Sequence, residues 1–196
     1  SRTLQVTTRI GLKQMIESYY WKADLLRYAK KFQPTAMPPR WSEKRVVNFE
    51  KDVVLAFFII RKLSESNKFS SKTEKHKMNI YRCPNRARVN ARNYWNIEEN
   101  YDLKTETLIS KGVNFVCNQF IHGGAIVAYR EKSRNWGGLY TCSDFERQKF
   151  IYRIPLCEII DILCIAGNDY PSSISMTYDP KSEDDPKVDQ YKISTN

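Results

Sequence analysis

The chain has 196 residues, 41% hydrophobic, 13% aromatic and 28% charged, with only 7 Gly and 8 Pro. Such a composition builds a core and excludes a disordered, collagen-like or low-complexity protein. The longest apolar run, Val53 to Ile60, has eight residues, far short of the ~20 that span a bilayer, so no membrane partner is expected, and no signal-peptide pattern is visible.

The formal net charge is +10, unevenly divided. Residues 1–92 carry 21 Lys/Arg against 7 Asp/Glu, and residues 93–196 carry 11 against 15. A basic half of that size attracts a polyanion through counterion release. Equally, it can dock on the acidic half or on an acidic partner. The five cysteines, Cys83, Cys117, Cys142, Cys157 and Cys164, form no C-x-x-C pair, and the last four sit among apolar residues. They read as free buried thiols in a reducing cytoplasm. With two His and no ligand spacing, no metal is expected. No P-loop, G-x-G-x-x-G or G-x-S-x-G occurs, so nucleotide hydrolysis and serine-hydrolase chemistry have no support, and no cofactor is expected.

In chain order, residues 9–32 predict an amphipathic helix capped by Thr8. Its apolar face is Leu12, Met15, Ile16, Tyr19, Ala23, Leu26 and Ala29, and its polar face includes Lys22. Pro34, Pro38 and Pro39 make Gln33 to Trp41 a stiff connector. Ser42 caps a second helix whose stripe runs Val46, Phe49, Val53, Phe57, Ile60 and Leu63. Val54, Leu55, Phe58 and Ile59 widen it until the helix is apolar nearly all round. Such a helix belongs at the centre of a fold or in a homodimer interface spanning Val46 to Leu63.

Residues 64–79 read as a polar loop that leaves His76 exposed. Met78 to Cys83 predicts a short strand ended by Pro84-Asn85. Asn96 to Asp102 is acidic and irregular, and Leu103 to Ile109 fits strand or helix. A helix from Val113 shares Val116, Cys117, Phe120 and Ile121 on one face and stops at Gly123-Gly124. Three strands follow, Ala125 to Tyr129, Leu139 to Ser143 and Phe150 to Ile154. Pro155 opens a closing helix with Ile159, Ile160, Leu163 and Ala166 buried. The expected architecture is α+β, with two or three long helices packed on a small antiparallel sheet. One domain covers residues 1–178, with a basic helical half 1–92 and a sheet half 93–178, and a flexible polar tail follows over 179–196.

Two constellations carry chemistry. If the first two of the three strands form a hairpin, the start of one lies beside the end of the other. That places His122 near Asp144, with Arg147 turning at the same edge and Asn118 one helical turn back. A His held by a carboxylate beside a cation suits general acid–base work on a phosphodiester. The plainer alternative is a His that terminates its helix through a carbonyl. The other constellation interleaves cations and aromatics: Lys75, Lys77, Arg82, Arg86, Arg88, Arg92, Tyr94 and Trp95. Arginines contact phosphates and aromatics stack on bases. Otherwise the arginines form a solvated face and Trp95 joins the core.

The stretch Cys117-Asn118-Gln119-Phe120-Ile121-His122 resembles the motif of HEPN-type ribonucleases, in which an Arg, a polar residue, three others and a His share one helix. The resemblance implies metal-independent RNA cleavage at a dimer interface. Asn118 takes the polar position and His122 that of the His. Cys117 stands where the family has its catalytic Arg, and HEPN domains are all-helical. The functional expectation is a cytoplasmic nucleic-acid-binding protein, RNA preferred over DNA. It extends to a nuclease-like component of a bacterial defence or toxin system. The rival expectation is a non-enzymatic adaptor or inhibitor whose basic half holds an acidic protein.

Overall fold

A computed structural model of the chain describes residues 17–34, 41–171, 173–177 and 187–192. Thr8, residues 9–16 of the first expected helix and residues 35–40 of the connector lie outside them. The elements are α1 (Ser18–Phe32), α2 (Glu43–Glu65), α3 (Ser71–Glu74), β1 (Lys77–Pro84), α4 (Ile97–Asn100), β2 (Thr107–Gly112), α5 (Val113–Ile121), β3 (Gly123–Arg130), β4 (Trp136–Ser143), β5 (Phe150–Pro155), α6 (Leu156–Gly167), β6 (Ser173–Thr177) and β7 (Lys187–Lys192). The fold is α+β, with several helices packed against an open antiparallel sheet.

The sheet order is β2-β1-β5-β4-β3, antiparallel throughout. β1 comes from the basic half of the chain yet lies between β2 and β5 of the other half. On the helical face, Ile80, Leu139 and Ile154 are fully buried, and Phe115 of α5 meets Tyr152 edge-on at 5.2 Å. Phe57 of α2 stacks on Phe120 of α5 at 4.5 Å, which locks these two helices together. The outer face is partly covered by the β1–β2 connection, which buries Val89, Ile97 and Tyr101. Gly138 sits at φ +142, where a Cβ would fall 2.1 Å from the Ile154 carbonyl, so only glycine allows β4 this close to β5.

Helix faces differ from expectation where tertiary partners decide them. α1 buries Lys22, Leu25, Ala29 and Phe32, while Tyr19 is 61% exposed. Lys22, on the face expected to meet solvent, turns inward instead. Its ammonium donates to the carbonyls of Lys68, at 2.8 Å, and Asp169, with the Tyr170 ring 4.5 Å away. Ser42 caps α2 as expected, accepting from the Arg45 N–H. This helix is not apolar all round in its packing, because Val47, Leu55 and Phe58 face outward.

The polar loop expected over 64–79 contains the end of α2, the short α3 and the start of β1. His76 is half-buried rather than exposed, because it lines a hollow against α6 with Glu158 and Asp161. Pro155 stands at the N-cap in extended backbone, one residue before its helix. α6 turns Ile162 inward and leaves Ile160 half-buried. Cys157 is exposed and Cys164 half-buried, whereas Cys83, Cys117 and Cys142 are buried. Within the expected tail, Lys187–Lys192 pairs with β6 as strand β7.

Candidate functional site

The edge where α5 ends gathers much of what the sequence singled out. Gly123 begins β3 in contact with the end of α5: a Cβ there would lie 2.3 Å from the Gln119 carbonyl. β3 therefore leaves the helix after a single residue, His122, and β4 returns beside it. The Asp144 N–H donates to the His122 carbonyl at 3.0 Å. The backbones of His122 and Asp144 thus meet, but no hydrogen bond or ion pair joins their side chains. The Asp144 carboxylate takes Arg147 at 3.0 Å. The His122 imidazole is exposed and makes no hydrogen bond among the described residues. Asn118 accepts from the guanidinium of Arg61 at 3.2 Å. That cation comes from α2, 57 residues away in sequence, and no local pattern announces it.

The β1–β2 connection reaches the same edge. The Tyr101 hydroxyl donates to the Arg147 carbonyl at 2.8 Å. The Asn85 N–H donates to the Lys149 carbonyl at 2.9 Å, and the Gln148 side chain bonds both backbone groups of Val89. These bonds hold residues 85–101 against the β4–β5 turn. Tyr94 consequently lines a small hollow with Gly124, Asp144 and Arg147. Tyr94 and Trp95 meet edge-on at 5.0 Å, and Trp95 is 54% exposed, outside the core. At the tip of the β4–β5 turn, Phe145 is 84% exposed.

The cationic constellation divides. Arg88 and Arg92 are exposed beside the edge and make no ion pair among the described residues. Arg86 donates to the carbonyls of Glu98 and Glu99 and so holds the connection together. Arg82 lies over the Phe150 ring at 4.9 Å. Lys75 and Lys77 sit at the opposite end of β1 and do not join the group. Acidic residues also enter the edge: Glu98, Glu99, Asp144 and Glu146 interleave with the cations.

A second polar network lies on the outer face, among residues that the sequence pattern does not single out. Arg153 makes a two-pronged pair with Glu106, at 2.7 and 2.6 Å. It donates to the Tyr129 hydroxyl at 3.0 Å and lies 3.9 Å over the Tyr81 ring. Beside it runs a groove of about 550 Å³ lined further by Trp136, Glu131, Glu158 and Asp161. Among neighbouring groups, burial pushes the Cys83 thiol up to about 11 and the Tyr140 hydroxyl to about 12. Both are protonated at neutral pH. Pairing Arg153 with Glu106 requires two positions 47 residues apart, which no periodicity discloses.

No group of His, Cys, Asp and Glu among the described residues is placed to hold a metal ion. No helix among them is long and apolar enough to cross a membrane. No protein-family model, curated protein or solved structure matches this chain.

Proposed function

We propose that the chain is a nucleic-acid-binding protein, RNA preferred, that engages its ligand at the edge formed by the β1–β2 connection, the end of α5 and the β4–β5 turn. The observation that carries this reading is that Tyr94 lines one hollow with Asp144 and Arg147. It joins the arginine–aromatic segment to the His122 edge in one surface. Arg88, Arg92 and Arg147 supply cations for phosphates, and Tyr94 and Trp95 supply rings for bases. His122, exposed at the same edge, is the candidate general base for a metal-independent cleavage of the kind the HEPN resemblance implies. Its imidazole must first turn toward Asp144. The thiols, free in every described cysteine, suit a reducing cytoplasm.

A gel shift on single- and double-stranded RNA and DNA across a salt series tests the reading. Arg88→Glu with Arg92→Glu is expected to weaken binding and to flatten the salt slope by about one unit for each phosphate no longer neutralised. Unchanged affinity and slope place the ligand elsewhere. A second reading, a non-enzymatic interaction module, draws on the outward face of α2. There Val47, Leu55 and Phe58 are 51, 42 and 40% exposed, and a second copy of the chain is the proposed partner across Val46 to Leu63. Leu55→Glu with Phe58→Glu is expected to abolish self-association in sedimentation. A wild-type monomer at micromolar concentration rejects this partner.

A further inference from the structure

The edge combines three exposed rings with almost no depth. Phe145 is 84% exposed, Trp95 54% and Tyr94 36%. Phe145 stands at the apex of a short turn whose flanks are fixed. The Glu146 and Arg147 N–H groups both donate to the Ser143 carbonyl at 3.0 Å, and the Tyr152 hydroxyl holds Glu146 at 2.7 Å. The ring is therefore presented to water by a tied backbone. Nothing in the core requires a phenyl group there, and its apolar surface stays uncovered. Beneath these rings, the hollow between Tyr94, Gly124, Asp144 and Arg147 measures about 10 Å³. A space of that size holds no more than one water. A nucleobase cannot enter it, and its edges cannot be read by groups inside it.

A surface with ring faces, flanking guanidinium groups and no base pocket has a definite selectivity. Stacking needs an unpaired base, because in a duplex both faces are already covered. Every base has a π-face, so stacking without a pocket tolerates any sequence. We infer that this edge binds single-stranded nucleic acid with little sequence preference. Bases stack on Phe145 and Trp95, and phosphates meet Arg88, Arg92 and Arg147. The inference rests on the nucleic-acid reading above and adds the strandedness, the tolerance and the part of Phe145.

Fluorescence anisotropy on the full chain tests it. The probes are labelled RNAs of about 12 nucleotides, a length within the site sizes of such surfaces, rich in U, A or C, and a duplex of the same length, at several salt concentrations. Single strands are expected to bind at least about 10-fold tighter than the duplex, and the three sequences within about 10-fold of one another. Phe145→Ala should weaken single-strand binding by about 5- to 150-fold, the range for losing one base stack. The salt slope should stay unchanged, since no charge is removed. Phe145→Trp should restore binding. An equal melting temperature for each variant checks that the fold is kept, as expected at so exposed a position. Duplex binding equal to or tighter than single-strand binding overturns the inference while leaving the nucleic-acid reading standing. So does a preference of about 100-fold for one sequence, or an unaffected Phe145→Ala. Failure of every oligonucleotide to bind at low salt overturns both. The exposed rings and arginines then mark a protein-docking surface.

Discussion

The two polar networks of this sheet are built on opposite plans. At the His122 edge, Asp144 and Arg147 pair on the surface, with side chains 63 and 37% exposed. Their neighbours His122, Phe145 and Trp95 stand in water. On the outer face, Arg153 and Glu106 are 19 and 29% exposed, and both prongs of the guanidinium are used. Tyr81 and Tyr129 complete its surroundings. The first arrangement leaves its groups available for a ligand at small cost to the fold. The second commits its groups to each other and ties β1, β5 and β3 to the residue that precedes β2. Charged residues in a sheet protein thus divide into those that stabilise it and those that remain free to bind, and exposure sorts them better than charge does.

The sharpest way to break this comparison is to cut each network once. Arg153→Ala should destabilise the protein by about 2–4 kcal/mol, because it strands the Glu106 carboxylate and removes the cation from the Tyr81 ring. Urea unfolding measures the change, and a loss below about 1 kcal/mol would rank this network with ordinary surface pairs. Lys22→Met should cost about 1–3 kcal/mol by leaving the Lys68 and Asp169 carbonyls without their donor. Asp144→Asn at the edge should cost no more than about 1 kcal/mol, the value of an exposed pair. His122→Ala should be nearly silent in the melting temperature. A large fall there would return His122 to a structural role and remove it from the proposed binding edge.

The smallest effect is one of pH. Burial is the main cause raising the Glu74 carboxyl above its ordinary value, and the Ser64 hydroxyl opposes it. An acid whose folded value exceeds its unfolded value penalises the fold when ionised. That penalty is fully present above the folded value and fades as pH falls through the unfolded value of about 4.5. Glu74→Gln, which keeps an acceptor for Ser64, should therefore stabilise the protein slightly at about pH 7 and make no difference near about pH 3. Calorimetry at the two pH values decides it, and equal effects would exclude a titration.

Local pattern discloses the central strands well, but not β6 or β7, and leaves β2 open between strand and helix. β3, β4 and β5 each lie within three residues of their expected bounds, because alternation and Gly- or Pro-marked turns are written in neighbouring residues. Hairpin geometry alone brings His122 beside Asp144, as their backbone bond does. Side-chain direction is harder to read. The Asp144 carboxylate takes Arg147 and not the imidazole, and Lys22 lies buried because the segments just after α2 and α6 supply carbonyls that no window around residue 22 contains. Cys157 illustrates the converse. Leu156, Ile159 and Ile160 lie close to it in sequence, yet the first turn of α6 turns it outward. Arg61 against Asn118 and Arg153 against Glu106 are pairings of long reach, invisible to any pattern confined to a few neighbouring residues.

The place of β1 in the sheet sets an order of events during synthesis. Residues 77–84 emerge from the ribosome about 70 residues before β5, the strand that flanks them on the inner side. Until Pro155 is made, β1 pairs only with β2, and the β3–β4 hairpin pairs with neither strand. The sheet therefore closes late, in a single step that unites two waiting pairs. Pairings of such long reach are slow to form and expose strand edges in the meantime. A nascent chain arrested before residue 150 should be a substrate for chaperones, and one released after the end of α6 should not.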